Sequence, residues 1–150
     1  MMKLKKIHQS KTIDFFSLST ESNISIPFVD GGISAGFPSP AEDFIDVSID
    51  LNKTLIKNPP ATFLGRVNGD SMQDLGISDG DLIIIDKSLE AKNGKIAVCY
   101  IDGEFTLKKI KLEKNQCWLM PANKKYEPIK ITEDNDLVIW GILVHVIKSF

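Results

Sequence analysis

The chain has 150 residues, of which 43% are apolar and 25% are charged, a composition typical of one globular domain with a sizeable core. Its net charge of -2 and its pI of about 5.7 argue against nucleic-acid binding through a broad basic face. Two cysteines (Cys99, Cys117) and two histidines (His8, His145) offer neither zinc-ligand spacing nor a disulfide framework. We therefore predict no metal, no cofactor and a reducing, cytoplasmic location. The N-terminal lysines run into polar residues, which predicts neither a signal peptide nor a membrane span.

The N-terminal quarter of the chain reads as an irregular arm. Residues 1–35 hold short apolar pieces among polar residues, and no helical or strand period lasts more than a few positions. The segment GGISAGFPSP at 31–40 contains three glycines and two prolines, which predicts an irregular linker. A short helix is expected next, capped by Asp50 and ended by Pro59 and Pro60.

The remainder of the chain is dominated by strand-like segments. Valine, isoleucine and aromatic residues are concentrated in six runs, and the Asp102–Gly103 pair predicts a tight hairpin turn between two of them. Many short strands separated by turns indicate a mostly β barrel or folded sheet with one helix. The runs are 62–67, 81–86, 95–101, 104–112, 116–120 and 136–148.

The loop GDSMQDLGISDGD at 69–81 places Ser71 beside a methionine among glycines and aspartates. A serine in such a loop is commonly a turn or cap residue. The aspartates could instead bind calcium, but their spacing does not match the EF-hand register. The third interpretation is a nucleophile, which requires a base nearby.

Two kinds of base are available to Ser71. His145 lies in the alternating apolar run GILVHVIK, where a packed histidine is the commoner interpretation, and His8 lies in the arm. A lysine accepts a proton near neutral pH only if burial lowers its pKa from about 10.4. In EFTLKKIKL the alternation puts Lys108 on the apolar face with Ile110 and Leu112, whereas Lys109 faces solvent. A surface lysine with a snorkelling stem is the alternative for Lys108.

Three motifs in sequence order give this chain a family resemblance. AGFPSP at 35–40, GDSM at 69–72 and FTLKK at 105–109 together resemble the LexA-like self-cleaving serine peptidases, in particular the UmuD branch. The resemblance runs from about residue 35 to the C-terminus. It implies a mostly β, LexA/UmuD C-terminal-like folded sheet with one short helix and an extended N-terminal arm. It further implies that residues 1–35 are the arm removed by self-cleavage and that residues 36–150 form the Ser–Lys peptidase-like domain.

The resemblance also assigns roles to particular residues. It implies that Ser71 is the nucleophile, that neutral Lys108 takes its proton, and that the backbone N–H groups of Asp70 and Ser71 form the oxyanion hole. The bond that is cut would be Ala35–Gly36. Alanine suits a narrow pocket, and glycine lets the backbone approach a buried hydroxyl.

The resemblance finally implies partners. Cleavage would be stimulated by a RecA filament on single-stranded DNA. The processed form would be an accessory subunit of a Y-family, UmuC-like translesion polymerase in SOS mutagenesis, and the chain would form a homodimer. With 35 residues before Gly36 and no helix-turn-helix pattern, direct sequence-specific DNA binding is not expected. Two alternatives stay open: a non-catalytic polymerase-binding module of the same fold, and a signal-peptidase-like enzyme, which would need a membrane anchor. The arm is longer than a UmuD-like arm, and its first twenty residues have no assigned role.

Overall fold

The computed structural model describes residues 4–9, 12–18, 25–29 and 45–150, with side chains for residues 12–17 and 49–150. Within these ranges the chain forms eleven strands and one α-helix. The strands are β1 (Leu4–Gln9), β2 (Ile13–Leu18), β3 (Ser25–Val29), β4 (Ile45–Asp50), β5 (Thr62–Val67), β6 (Leu82–Asp86), β7 (Ile96–Ile101), β8 (Glu104–Glu113), β9 (Gln116–Met120), β10 (Ile129–Lys130) and β11 (Leu137–Ile147). The helix is α1 (Leu51–Leu55).

Nine of the described strands form one antiparallel sheet in the order β1-β2-β5-β6-β11-β7-β8-β9-β10, and β3 pairs with β4 in a separate two-stranded sheet. The predicted mostly β fold with one short helix is confirmed. The last strand in sequence, β11, lies in the middle of the sheet between β6 and β7. Its register shifts after Ile139 and again after Leu143, and such bulges let a long strand bend.

Apolar clusters cover both faces of the sheet. Along β7, Val98 belongs to one cluster, whereas its neighbours Ala97 and Cys99 belong to the other. Because successive side chains point to opposite faces of a strand, the two clusters lie on opposite sides. The same division separates Leu107 from Ile110 on β8, so apolar residues occupy both odd-numbered and even-numbered positions of that strand.

The start of the helix and the hairpin turn match their sequence signals, but α1 ends at Leu55, before Pro59 and Pro60, which lie in a separate 3-10 turn. The Asp50 carboxylate accepts a hydrogen bond from Asn52 N–H at 2.9 Å and so caps α1. At the β7–β8 turn, Asp102 and Gly103 both have positive φ, 48° and 87°, as a two-residue hairpin loop with Asp-Gly requires.

Three further expectations differ from the structure or lie outside the residues it describes. The arm was expected to be irregular, yet β1, β2 and β3 lie within it and β2 belongs to the main sheet. These strands were missed because their apolar runs are too short to show a period. Leu112 was expected to be buried but is 47% exposed, because it lies near the end of β8, close to the turn into β9. The predicted linker at 31–40 lies outside the described residues.

Candidate active site

The loop between β5 and β6 presents Ser71. Its neighbour Met72 is 1% exposed, and Ile77 is 3% exposed in the same apolar cluster as Leu107. These two side chains therefore anchor the loop in the core, and Ser71 lies between core and surface, partly buried. A 3-10 turn at Gln73–Leu75 ends at Gly76, whose φ of 79° is a left-handed conformation that suits glycine.

The aspartates of this loop hold its turns together. The Asp79 carboxylate accepts a hydrogen bond from Gly69 N–H at 2.8 Å. The Asp81 carboxylate accepts one from Ser78 N–H at 2.8 Å and pairs with Lys148 at 2.7 Å. These contacts give the acidic residues a structural role, as Asx-type turns commonly do.

Lys108 lies directly beside Ser71. Its side chain is 6% exposed, and Nζ is 3.2 Å from Ser71 Oγ. Nζ also donates to Thr106 Oγ1 at 2.5 Å and to the Leu107 carbonyl at 3.2 Å. As the strand alternation predicted, Lys108 is buried, whereas Lys109 is exposed.

Burial lowers the pKa of the Lys108 ammonium because the charged form loses its water. A nearby thiolate at Cys99 would oppose this effect, but burial raises the pKa of Cys99 to about 12. The thiol is therefore neutral near pH 7 and leaves Lys108 without a compensating negative charge among the described residues. The surroundings of Lys108 thus favour the neutral amine.

A segment that the sequence reasoning missed holds the backbone on both sides of Ser71. It comprises residues 122–126, which follow β9, and we call it the clamp segment. Ala122 N–H donates to the Ser71 carbonyl at 2.7 Å, and the Asn123 side-chain amide donates to the Asp70 carbonyl at 2.8 Å. Tyr126 Oη donates to the Asp70 carboxylate at 2.6 Å, which lowers the pKa of Asp70 and raises that of Tyr126. No local sequence signal marks these residues, since the contacts span more than 50 positions.

The backbone N–H groups of Asp70 and Ser71 have no hydrogen-bond acceptor among the described residues. The Asp70–Ser71 peptide is trans, so its C=O and N–H point in opposite directions. Asn123 and Gln73 N–H both donate to the Asp70 carbonyl, at 2.8 and 3.1 Å. The clamp segment therefore fixes the direction in which Ser71 N–H points.

The other predicted site residues lie elsewhere. His145 lies on β11 opposite Ile84, and within the described chain the Ser71 hydroxyl is bonded to Lys108. The backbone of His8 pairs with Phe15. Ala35 and Gly36 fall between β3 and β4 in sequence and lie outside the described residues. None of the helices among the described residues has the length and hydrophobicity of a membrane span.

The sequence of the chain also matches a protein family, in agreement with the β fold and with the contact between Ser71 and Lys108. Residues 27–144 match the Peptidase S24-like family, so the chain belongs to that family of peptidases. The predicted resemblance to UmuD-like members of the LexA/UmuD family is confirmed.

Individual relatives support the same placement. The chain is 43% identical over 135 residues to Protein MucA of Salmonella typhimurium, covering 89% of this chain and 92% of MucA. It is 41% identical over 115 residues to Protein SamA of Salmonella typhimurium strain LT2, covering 77% and 79%. It is also 41% identical over 146 residues to the LexA repressor of Alcanivorax borkumensis, covering 96% of this chain and 70% of the repressor.

Proposed function

We propose that this chain is an SOS-response serine endopeptidase that cuts its own Ala35–Gly36 bond with Ser71 as nucleophile and Lys108 as general base. The observation that supports this most directly is the buried Lys108 Nζ, 3.2 Å from Ser71 Oγ. A nucleophile and a base within hydrogen-bond reach are the signature of covalent catalysis. Residues 1–35 are the arm that is removed, and residues 36–150 are the peptidase domain.

The contacts of Lys108 explain how its amine could act as a base. A neutral amine has two N–H groups and one lone pair. Thr106 Oγ1 and the Leu107 carbonyl supply two acceptors for the N–H groups. The third direction, toward Ser71 Oγ, is then left to the lone pair, which can accept the hydroxyl proton.

The proposed reaction begins at the Ser71 hydroxyl. As Lys108 takes the proton, Ser71 Oγ attacks the Ala35 carbonyl carbon, and the oxyanion is stabilised by the N–H groups of Asp70 and Ser71. The Lys108 ammonium then protonates the Gly36 nitrogen as the peptide bond breaks, which leaves an ester between Ser71 and Ala35. Lys108 next takes a proton from a water molecule, whose oxygen attacks the ester carbon. The ammonium returns that proton to Ser71 Oγ as the ester bond breaks, which releases the Ala35 carboxylate and restores the serine.

The biological setting is proposed from the family. A RecA filament on single-stranded DNA would favour the arrangement in which the scissile bond meets Ser71, which is a population shift rather than a new catalytic group. The processed chain would act in the cytoplasm as a homodimeric accessory subunit of a Y-family, UmuC-like polymerase during translesion synthesis. The two free cysteines are consistent with a reducing compartment.

Incubation of the purified chain between pH 6 and 11, followed by mass spectrometry, tests the proposal. We expect fragments of residues 1–35 and 36–150, formed faster as pH rises until Lys108 is fully deprotonated. Ser71→Ala and Lys108→Ala should each abolish the cut. Lys109→Ala, the matched control on the exposed face, should keep most of it.

Other results would contradict particular parts of the proposal. Gly36→Glu should block the cut by excluding the scissile bond, and normal processing of that variant would place the cut elsewhere. Equal loss from Lys108→Ala and Lys109→Ala would remove the assignment of the base. An intact chain at every pH would instead favour the non-catalytic binding module.

A further inference from the structure

Strand β2 is built into the body of the molecule, although it precedes the proposed cleavage site. Ile13 is fully buried and Phe15 is 2% exposed, and both belong to the apolar cluster that contains Leu107. The Phe15 ring lies 4.8 Å from the ring centroids of both Phe105 and Trp140. Residues that the proposed cut would detach thus fill part of the core of the remaining domain.

Backbone contacts extend this packing along most of β2. Residues 13–16 pair antiparallel with residues 64–67 of β5, and Asn68 N–H donates to the Thr12 carbonyl at 2.6 Å. Thr12 Oγ1 donates to the Phe105 carbonyl. Without β2, β5 would present its backbone N–H and C=O groups as a sheet edge beside an apolar groove.

The groove is shaped for large apolar side chains at alternate positions. Gly65 on β5 lies opposite Phe15, and a Cβ added to Gly65 would lie only 3.0 Å from Ile13 Cγ2. The glycine therefore provides the space that Ile13 occupies. Asp14 lies between Ile13 and Phe15 in sequence, and its carboxylate accepts a hydrogen bond from Asn68 Nδ2 at 3.3 Å.

The covalent link between β2 and the strand β5 that forms the groove passes through the bond that is proposed to break. β2 precedes residues 35–36 and β5 follows them, so a cut there leaves β2 held by noncovalent contacts alone. A tethered strand has an effective concentration that a free peptide rarely matches, and that advantage ends when the chain is cut. The inference on exchange therefore rests on the proposed function.

We propose that the β5 groove is a strand-binding site that the chain's own β2 occupies, and that self-cleavage converts β2 from a fixed strand into an exchangeable ligand. The partner it fits is an extended peptide with large apolar residues at alternate positions, as in the Ile13-Asp14-Phe15 sequence. Such a peptide would add to the sheet by backbone pairing with β5 and gain specificity from the two buried side chains.

The test uses the full chain and makes the cut independently of its own chemistry. In the Ser71→Ala variant, the recognition sequence of a site-specific protease replaces residues 31–38, and the purified protein is cut with that protease. Native mass spectrometry should show the N-terminal fragment still bound. A fluorescein-labelled peptide of residues 1–30 in excess, which carries the same strands β1, β2 and β3 as the fragment, should then exchange with it. Fluorescence anisotropy should report binding about 10-fold or more weaker to the uncut chain.

Two altered peptides provide a matched control. Phe15→Ser removes a fully buried aromatic side chain and should weaken binding by about 10-fold or more, whereas Phe16→Ser removes its less deeply buried neighbour and should weaken it less. Loss of the fragment on cutting with no peptide binding would overturn the proposal. Equal effects of the two peptides, or no exchange overnight, would also overturn it. If the wild-type chain fails to cut itself, the proposed function fails, but this binding result is unaffected.

Discussion

At the residue scale, the surroundings of Lys108 favour an uncharged side chain. Lys108 is 6% exposed, the described partners of its amine are two hydroxyls and a carbonyl, and the nearby Cys99 thiol is neutral near pH 7. A lysine in an unfolded chain has a pKa near 10.4. Burial makes the pKa of Lys108 lower than this in the folded state. Folding therefore releases a proton, and stability should rise with pH between the folded and the unfolded pKa of Lys108.

Replacement of this lysine should consequently stabilise the protein. Lys108→Met keeps most of the side-chain volume and removes the need to neutralise or desolvate an ammonium group. We expect the Tm at pH 7 to rise by roughly 3 °C or more, because about 1 kcal/mol shifts Tm by that amount in a chain of this size. Thermal unfolding of both proteins from pH 6 to 10 would show the difference shrinking as pH rises. A lower Tm for Lys108→Met at pH 7 would contradict this account.

Asn123 should act as a positioning residue for the reaction. Its side-chain amide donates to the Asp70 carbonyl and so orients the peptide whose N–H belongs to Ser71. Asn123→Ser should lower the plateau rate of self-cleavage by about 10-fold, because a misdirected oxyanion donor stabilises the transition state less. The midpoint of the rate–pH profile should stay unchanged, since the contacts of Lys108 are intact.

A second asparagine offers a matched control for Asn123. Asn135 also holds an exposed turn, by donating to the Asp102 carboxylate at 2.8 Å, in a loop that makes no described contact with Ser71. Asn135→Ser should leave the rate unchanged. A shifted midpoint in Asn123→Ser would indicate a disturbed Ser71–Lys108 contact rather than a misdirected donor.

At the element scale, β11 links the two halves of the main sheet. Its C-terminal part pairs with β6, which follows the Ser71 loop, and its N-terminal part pairs with β7, which pairs with β8. The geometry of this strand therefore affects the relative position of Ser71 and Lys108. The close approach of β11 to β6 depends on Gly141, because a Cβ there would lie 2.4 Å from Ile85 Cγ2.

Gly141→Ala should destabilise the fold by overpacking this contact. Ile85 is fully buried and has little room to move, so we expect a loss of about 1–3 kcal/mol in the free energy of unfolding. Urea denaturation would measure it. The double variant Gly141→Ala/Ile85→Ala should lose less free energy of unfolding than the sum of the losses in the two single variants, because Ile85→Ala removes the methyl group that opposes the new Cβ. Additive effects would show that Gly141 is needed for another reason.

At the scale of the whole molecule, the proposed site is assembled from three regions distant in sequence. The Ser71 loop follows β5, Lys108 lies on β8, and the clamp segment follows β9. β8 and β9 pair directly, so the strand that presents Lys108 also positions the segment that holds the backbone of Ser71. β2, from the far end of the chain, packs against Phe105 on the same strand β8.

Much of this architecture was predictable from local pattern. The strands from β5 to β9 and β11 were predicted within one or two residues because alternation, β-branched residues and turn signals agree there. The burial of Lys108 was predicted because residues two positions apart in a strand share a face, and Lys108 shares its face with Ile110. β2 was missed because Ile13 and Phe15 are followed at once by Phe16, which interrupts the alternation. Leu112 was misjudged because the pattern does not show where a strand leaves the body of the sheet.

The sequence by itself determined the strand content, the turn chemistry, the Ser71 loop and the buried position of Lys108, since each depends on residues close together in the chain. Only the tertiary structure decided which groups meet. The contact between Ser71 and Lys108, the clamp of Asn123 on Asp70 and the insertion of β2 beside β5 all join residues more than 30 positions apart. Such contacts depend on how the sheet folds and bends, and no local periodicity records that geometry.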